Sequence, residues 1–214
     1  MKKQGIKDYW SAQVDQLDAI YSGKKPRLAR WLDRVLRKDM FQRFAYVMET
    51  AAPFEGRVFF DLGCGTGEYV LELARRKCRM VVGVDVADRM IDVCRKRAEE
   101  EKLEDRIELC VSDIVDFDPS KPADVVLAVG VFDYTREPTA ILARIKELCV
   151  DRAILSFPRF WTWRALVRKV RLGMRGCPVY FYTRRKVERL LQEAGFQEFK
   201  IDKIGKLFCL TAWK

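Results

Sequence analysis

From Arg57 onward, short uninterrupted apolar runs alternate with stretches whose apolar residues recur every three or four positions. Val58-Phe59-Phe60-Asp61-Leu62, Met80-Val81-Val82-Gly83-Val84, Ile107 to Val111, Val125 to Val129 and Ala153 to Phe157 predict five buried strands. Between them, Glu68 to Arg76, Asp88 to Glu101 and Glu137 to Leu148 predict helices, the second opened by an acidic cap. Strands that are apolar on both faces need helices over both faces. The fold class expected is therefore α/β, a doubly wound and mostly parallel sheet. Further on, Thr183 to Ala194 predicts a helix stopped by Gly195. Phe199 to Ile204 and Leu207 to Trp213 then predict a closing antiparallel pair turning near Gly205, which brings the sheet to seven strands with the last one antiparallel.

The two ends of the chain differ from this core. Residues 9–20 and 26–50 have the spacing of two amphipathic helices, broken near Ser22-Gly23 and Pro26. No repeat, low-complexity tract or Gly/Ser linker divides the chain, so a single domain is expected over 1–214. Within it, the pattern marks an N-terminal helical cap (1–50), a core (51–158), a basic insertion (159–182) and a closing helix with its strand pair (183–214).

Composition narrows the function classes. Among 214 residues there is no histidine, which removes Ser-His-Asp hydrolysis, a histidine general base and most catalytic zinc sites; no metal site is expected. The seven cysteines contain no C-x-x-C pair and their number is odd, which fits free thiols in a reducing compartment. No apolar run approaches the roughly 20 residues of a membrane helix, and Met1-Lys2-Lys3-Gln4-Gly5 leads into no apolar leader segment. The expectation is a cytoplasmic protein. The net charge of +10 is unevenly spread: +6 over residues 1–43, −6 over 44–158, +9 over 159–189 and +1 over 190–214. An acidic core thus carries basic flanks, which implies an anionic partner beside the cap.

Candidate chemistry lies in Asp61-Leu62-Gly63-Cys64-Gly65-Thr66-Gly67, which follows the first strand and opens a helix. Alternate glycines let the backbone turn sharply and come close to a ligand, at the place where open parallel sheets bind cofactors. A G-x-G-x-x-G fingerprint would need glycine where Glu68 stands, and no G-K-[ST] follows for a P-loop. A glutamate beside the loop disfavours a pyrophosphate, so the ligand expected carries little or no phosphate. Asp85 ends the second strand about 20 residues on, where a carboxylate accepts from both ribose hydroxyls. Asp113 follows the third strand, where it can accept from an adenine amino group, with Val86 and Met90 against the ring faces.

Taken together, Asp61 to Gly67, Val84-Asp85-Val86-Ala87-Asp88-Arg89-Met90 and Ser112-Asp113-Ile114 resemble the motifs of class I S-adenosylmethionine-dependent methyltransferases. Leu127-Ala128-Val129-Gly130-Val131-Phe132 resembles the segment after the fourth strand of that family, and Ala194-Gly195-Phe196 with the strand pair resembles its closing hairpin. The resemblance implies S-adenosylmethionine as cofactor. It puts Gly63, Gly65 and the carboxylate of Asp61 near the methionine part, Asp85 at the ribose, and Asp113 with Ile114 at the adenine, and it counts Gly67, Val86, Met90 and Val129 among the cofactor-binding residues. Tyr9-Trp10 and Asp18-Ala19-Ile20-Tyr21 resemble the leading helix of the ubiquinone and magnesium-protoporphyrin O-methyltransferase type, which implies cofactor contacts for Tyr9 and Tyr21. Ser156-Phe157-Pro158 and Tyr182-Thr183 resemble the second of these loosely.

The acceptor is less legible. Methyl transfer is an in-line displacement, to which a protein contributes mostly alignment, and an acceptor already ionised at neutral pH, such as a carboxylate, needs no base. Asp133 and Tyr134, just past the fourth strand, are the candidate catalytic residues. Phe160 to Arg175 sets Phe160, Trp163, Val167, Val170 and Met174 on one helical face, with Arg164, Arg168, Arg171 and Arg175 on another. Such a helix is attracted to an anionic membrane surface; equally it can be a lid whose apolar face packs on the sheet, the commoner use of amphipathic helices. The leading expectation is methylation, with an oxygen favoured, of a small anionic or lipophilic acceptor. An RNA methyltransferase is the alternative, against which stand the absence of a separate RNA-binding module and of an N-P-P-[YF] loop after the fourth strand. A non-catalytic cofactor-binding or membrane-surface adaptor is the third.

Overall fold

The structure is a computed structural model that describes residues 38–160 and 179–214. The helix expected over 9–20, most of the cap and the insertion helix lie outside the described residues. In chain order the elements are α1 (Lys38–Ala51), β1 (Val58–Leu62), α2 (Glu68–Arg75), β2 (Met80–Asp85), α3 (Asp88–Glu100), β3 (Ile107–Val111) and β4 (Ala123–Ala128). They continue with α4 (Pro138–Leu148), β5 (Cys149–Pro158), α5 (Arg184–Glu193), β6 (Glu198–Ile204) and β7 (Leu207–Trp213).

The seven strands form one sheet in the order β3-β2-β1-β4-β5-β7-β6. Strands β3, β2, β1, β4 and β5 pair in parallel. The last strand, β7, runs against both of its neighbours, as the sequence pattern predicts. Alternation along the central strands sends side chains to two separate cores. Phe60, Leu62, Val82, Val84, Val126 and Ala128 join Leu142 and Ile145 of α4 and Leu190 and Leu191 of α5. On the other face, Phe59, Val81, Val125 and Leu127 join Val47 and Met48 of α1, Val70 and Leu73 of α2 and Ile91 of α3. Both faces being covered is why these strands read as unbroken apolar runs. Aromatic pairs lock each layer: Phe132 stacks on Phe157 at 4.1 Å in the first core, and Phe44 stacks on Tyr69 at 5.4 Å in the second.

The element boundaries differ from the pattern mainly at β5. The strand starts at Cys149, four residues before the apolar run at Ala153, because Cys149 pairs with Ala123 and Arg152 with Val125. The polar start is held by Arg57, whose Nη1 donates to Asp151 Oδ2 at 2.7 Å. Ladder pairing at the sheet margin thus carries residues that no hydrophobic run announces.

Since β1 to β4 are parallel, their carboxyl ends open on one edge of the sheet. The chain leaves β1 toward β2 on one side, while β4 lies on the other. That reversal leaves a crevice above β1 between the two halves, where open α/β sheets bind ligands.

Candidate functional site

At the end of β1 the backbone turns back under itself: Gly63 N and Cys64 N both donate to Val84 O, at 2.7 and 3.0 Å, which pins the loop to the end of β2. Gly65 has φ +54°, and a Cβ built on it would meet no atom within 4 Å. The loop therefore presents bare backbone to open space, the cradle expected for a close ligand. Gly67 serves differently. It precedes α2 with φ +84°, and a Cβ there would overlap Cys94 Sγ of α3. Its missing side chain lets two helices meet, and it lies behind the cavity wall.

Above the loop is a cavity of about 550 Å³. Of the positions singled out from sequence, Gly63, Gly65, Asp85, Val86, Met90, Asp113, Ile114, Val129, Asp133 and Tyr134 all line it. They come from the ends of β1, β2, β3 and β4, so four strand ends converge as the fold dictates. Tyr9 and Tyr21 lie outside the described residues. Asp61 does not reach the wall. Alternation in β1 sends it to the same face as Phe59, under the glycine loop, where it is 1% exposed.

Asp85 has two duties. Its Oδ2 accepts from Gly65 N at 2.9 Å and its Oδ1 from Ala87 N at 2.9 Å. The carboxylate thus ties the glycine loop to the start of α3, while each oxygen keeps lone-pair capacity for a further donor. Burial raises its pKa, opposed by these amide hydrogen bonds. Asp113 turns its Oδ1 onto Val115 N at 3.0 Å, an Asx turn that sets Ile114, 9% exposed, against the cavity. Gly130, on the opposite wall, is anchored by donating its N–H to Ser156 Oγ at 2.9 Å.

Asp61 is the most perturbed carboxyl near the site. Its Oδ2 is buried without a hydrogen-bond partner. Burial, and after it the negative charge of Asp85, pushes its pKa up to about 7, against the pull of Arg43. Glu68, at the first turn of α2, is also raised by burial, with Arg97 opposing at 3.4 Å. Arg97 in addition donates to Thr66 O at 2.8 Å and so braces the loop from α3.

The wall residues that sequence reasoning did not single out include Asp39, Met40 and Arg43 from α1, and Lys206 and Leu207 from the β6–β7 turn. Arg43 also stands against Gly130, whose Cβ would lie 3.6 Å from Arg43 Nη1. The uneven charge along the sequence pointed to basic flanks but not to these side chains. Among the described wall residues, Asp39, Glu68, Asp85, Asp113 and Asp133 face only two cations, Arg43 and Lys206. Lys206 is itself paired with Asp39 at 3.1 Å. Such a wall favours a ligand bearing positive charge and repels a polyphosphate.

Comparison with known proteins identifies the family. The sequence pattern of the family described as "Methyltransferase domain" matches residues 53–195. The chain belongs to that family. Within it, the methyltransferase domain is 28% identical over 158 residues to the mitochondrial ubiquinone biosynthesis O-methyltransferase of Arabidopsis thaliana, covering 73% of this chain and 45% of the relative. It is 25% identical over 158 residues to a tRNA U34 carboxymethyltransferase of Haemophilus influenzae, covering 65% of this chain and 49% of the relative. The chain thus spans about half the length of the curated relatives it matches. Among solved structures, magnesium protoporphyrin IX methyltransferase from Synechocystis PCC 6803, with bound SAH, superposes with a TM-score of 0.78 at 20% identity, over 98% of this chain and 97% of that one. This likeness is one of fold.

Proposed function

We propose that this methyltransferase domain holds S-adenosylmethionine in the cavity above β1 and methylates an oxygen of a small anionic or lipophilic acceptor. The observation that carries the reading is the convergence of the bare Gly65 backbone, the Asp85 carboxylate and an acidic wall on one cavity of about 550 Å³. When bound, the cofactor supplies a methyl group on a sulfonium centre.

Each wall residue then has a distinct task. The net negative wall attracts the cationic cofactor. The remaining lone pairs of Asp85 accept from ribose hydroxyls, and charged acceptors of this kind are worth about 1.5–3 kcal/mol per hydrogen bond. Ile114, Val86 and Met90 sandwich the adenine, with Asp113 at its edge, and Val129 completes the apolar wall. Arg43, which faces Asp61 and Gly130, takes the carboxylate of the amino-acid part. Asp133 and Tyr134 stand beyond β4 on the acceptor side, and Lys206, held on the wall by Asp39 at 3.1 Å, is the cation that meets an acceptor carboxylate. Such an acceptor is ionised at neutral pH, and a chain without histidine suits a reaction in which no proton has to be removed first. The O-methyltransferase named among the relatives supports the choice of oxygen.

Incubation of a metabolite extract with methyl-labelled cofactor, resolved by mass, tests this reading. A labelled small molecule is expected, with label lost on mild alkaline treatment if the product is a methyl ester. Labelling of total RNA and of no metabolite would instead favour methylation of RNA, the second reading, which the likeness to the Haemophilus tRNA enzyme supports.

A further inference from the structure

A second concavity lies on the same edge of the sheet, past the β6–β7 turn. It has a volume of about 250 Å³ and is lined by Arg159, Phe160, Tyr182, Thr183, Arg184, Arg185, Lys203 and Phe208. Four of these side chains are cations and none is a carboxylate. The groove is built by β-pairing: Arg159 bridges Tyr182 just beyond β5, and Lys203 of β6 registers with Phe208 of β7. Arg159 is fixed over the Phe208 ring at 5.4 Å, and its Nη1 donates to Gly205 O at 2.7 Å. On the other side α5 begins, with Thr183 Oγ1 accepting from Lys186 N at 3.3 Å and no acidic residue in the first turn.

The charge of this groove is not balanced from within. Arg184 pairs with Glu188 at 2.8 Å and Lys200 with Asp202 at 3.4 Å, but among the described residues neither pair takes up Arg185 or Lys203. In sequence, the chain between Phe160 and Tyr182 carries Arg164, Arg168, Lys169, Arg171 and Arg175 and no acidic residue at all. An external anion is the electrostatic complement.

We propose that this groove docks the protein on a membrane surface by taking the phosphate of an anionic phospholipid, with Phe160 entering the boundary between headgroups and acyl chains. Phe160 is 55% exposed at the rim, a large apolar side chain among cations, which is the composition that binds the interface of anionic lipid. A polynucleotide fits less well. It needs a track of cations and exposed rings on which bases stack, whereas here the cations converge on one concavity the size of a headgroup. The Tyr182 and Phe208 rings are buried, at 1% and 5% exposure. The surface shares a wall with the cavity above β1: Lys206 and Leu207 line that cavity while Lys203 and Phe208 line the groove. Docking would therefore turn the opening of the cavity toward the membrane.

The experiment is flotation of the full chain with phosphatidylcholine vesicles, with and without phosphatidylglycerol, at rising salt. The wild type is expected to float only with phosphatidylglycerol and to be released by salt. The double variant Arg185→Gln/Lys203→Gln should bind about thirtyfold more weakly, at about 1 kcal/mol for each basic residue near an anionic surface. Phe160→Ala should also weaken flotation. All three sites are exposed, and cofactor affinity measured by calorimetry should be equal in the variants and the wild type, which reports that they are folded. Flotation of the double variant equal to wild type would overturn the proposal, as would a wild type that never floats. Tight, salt-sensitive binding of total tRNA with no flotation would reassign the groove to nucleic acid.

Discussion

Replacing Asp61 by asparagine should change how the stability of this protein depends on pH. Asp61 is 1% exposed and its Oδ2 has no hydrogen-bond partner. Its pKa is held at about 7 instead of the ordinary 3.8. Each tenfold in proton affinity is worth about 1.4 kcal/mol, so the gap amounts to about 4 kcal/mol. The sign follows from which state holds the proton. At low pH the carboxyl is protonated in both the folded and unfolded chain. As pH rises above 3.8 the unfolded chain ionises while the folded one keeps its proton. The advantage of the folded state is therefore full below that point and fades as pH climbs through about 7. Between pH 5 and 8 the wild type should lose about 2 to 3 kcal/mol from this group, and the asparagine variant none. The buried amide brings its own cost of about 1–3 kcal/mol, but that cost is independent of pH. The assay is urea unfolding of both proteins across this range, read as the difference between their free energies. The chain has no histidine to titrate in the same window. Asp85 and Glu68, also raised by burial, slope the same way in both proteins and largely cancel. Parallel curves, with a constant difference across the range, would refute the claim that Asp61 is a buried carboxyl holding its proton near neutrality.

The same carboxyl makes a prediction about binding: a cationic cofactor favours ionised Asp61, so calorimetric affinity for S-adenosylmethionine should rise with pH up to about 7 and then level off, with proton release that disappears in the asparagine variant. Asp85→Ala removes an acceptor for the ribose and also frees Gly65 N and Ala87 N; calorimetry should show affinity for the cofactor lowered by at least about tenfold for one charged hydrogen bond lost, whereas equal affinity would remove Asp85 from the site. Phe157→Ala deletes a ring that is fully buried between Phe132 and Tyr182; unfolding by urea should show a loss of about 3–5 kcal/mol, and a loss under about 1 kcal/mol would mean the layer repacks freely.

What could be read from the sequence was what depends on neighbouring residues. The central strands announced themselves because both faces are covered, and the glycine loop because Gly63, Gly65 and Gly67 follow a strand and precede a helix within one short stretch. Asp85 and Asp113 could be placed because each ends or follows such a strand. The rest of the cavity wall depends on encounters between distant parts of the chain. Arg43 and Lys206 stand more than 160 positions apart in sequence and meet the same cavity only because α1 packs over β5, β6 and β7, as the hydrogen bond of Tyr46 Oη with Thr211 Oγ1 at 3.3 Å attests. No local periodicity encodes that meeting. Asp61 illustrates the opposite case, since the information was present in the strand alternation. The odd-numbered positions of β1 face α1, α2 and α3, so a residue two places after Phe59 had to point beneath the loop and not into the cavity. Its charge is accordingly felt at the cavity only from beneath the glycine backbone, and it is set by burial, Asp85 and Arg43. A motif acid that is buried behind its loop can therefore tune the charge of the site without touching what binds there.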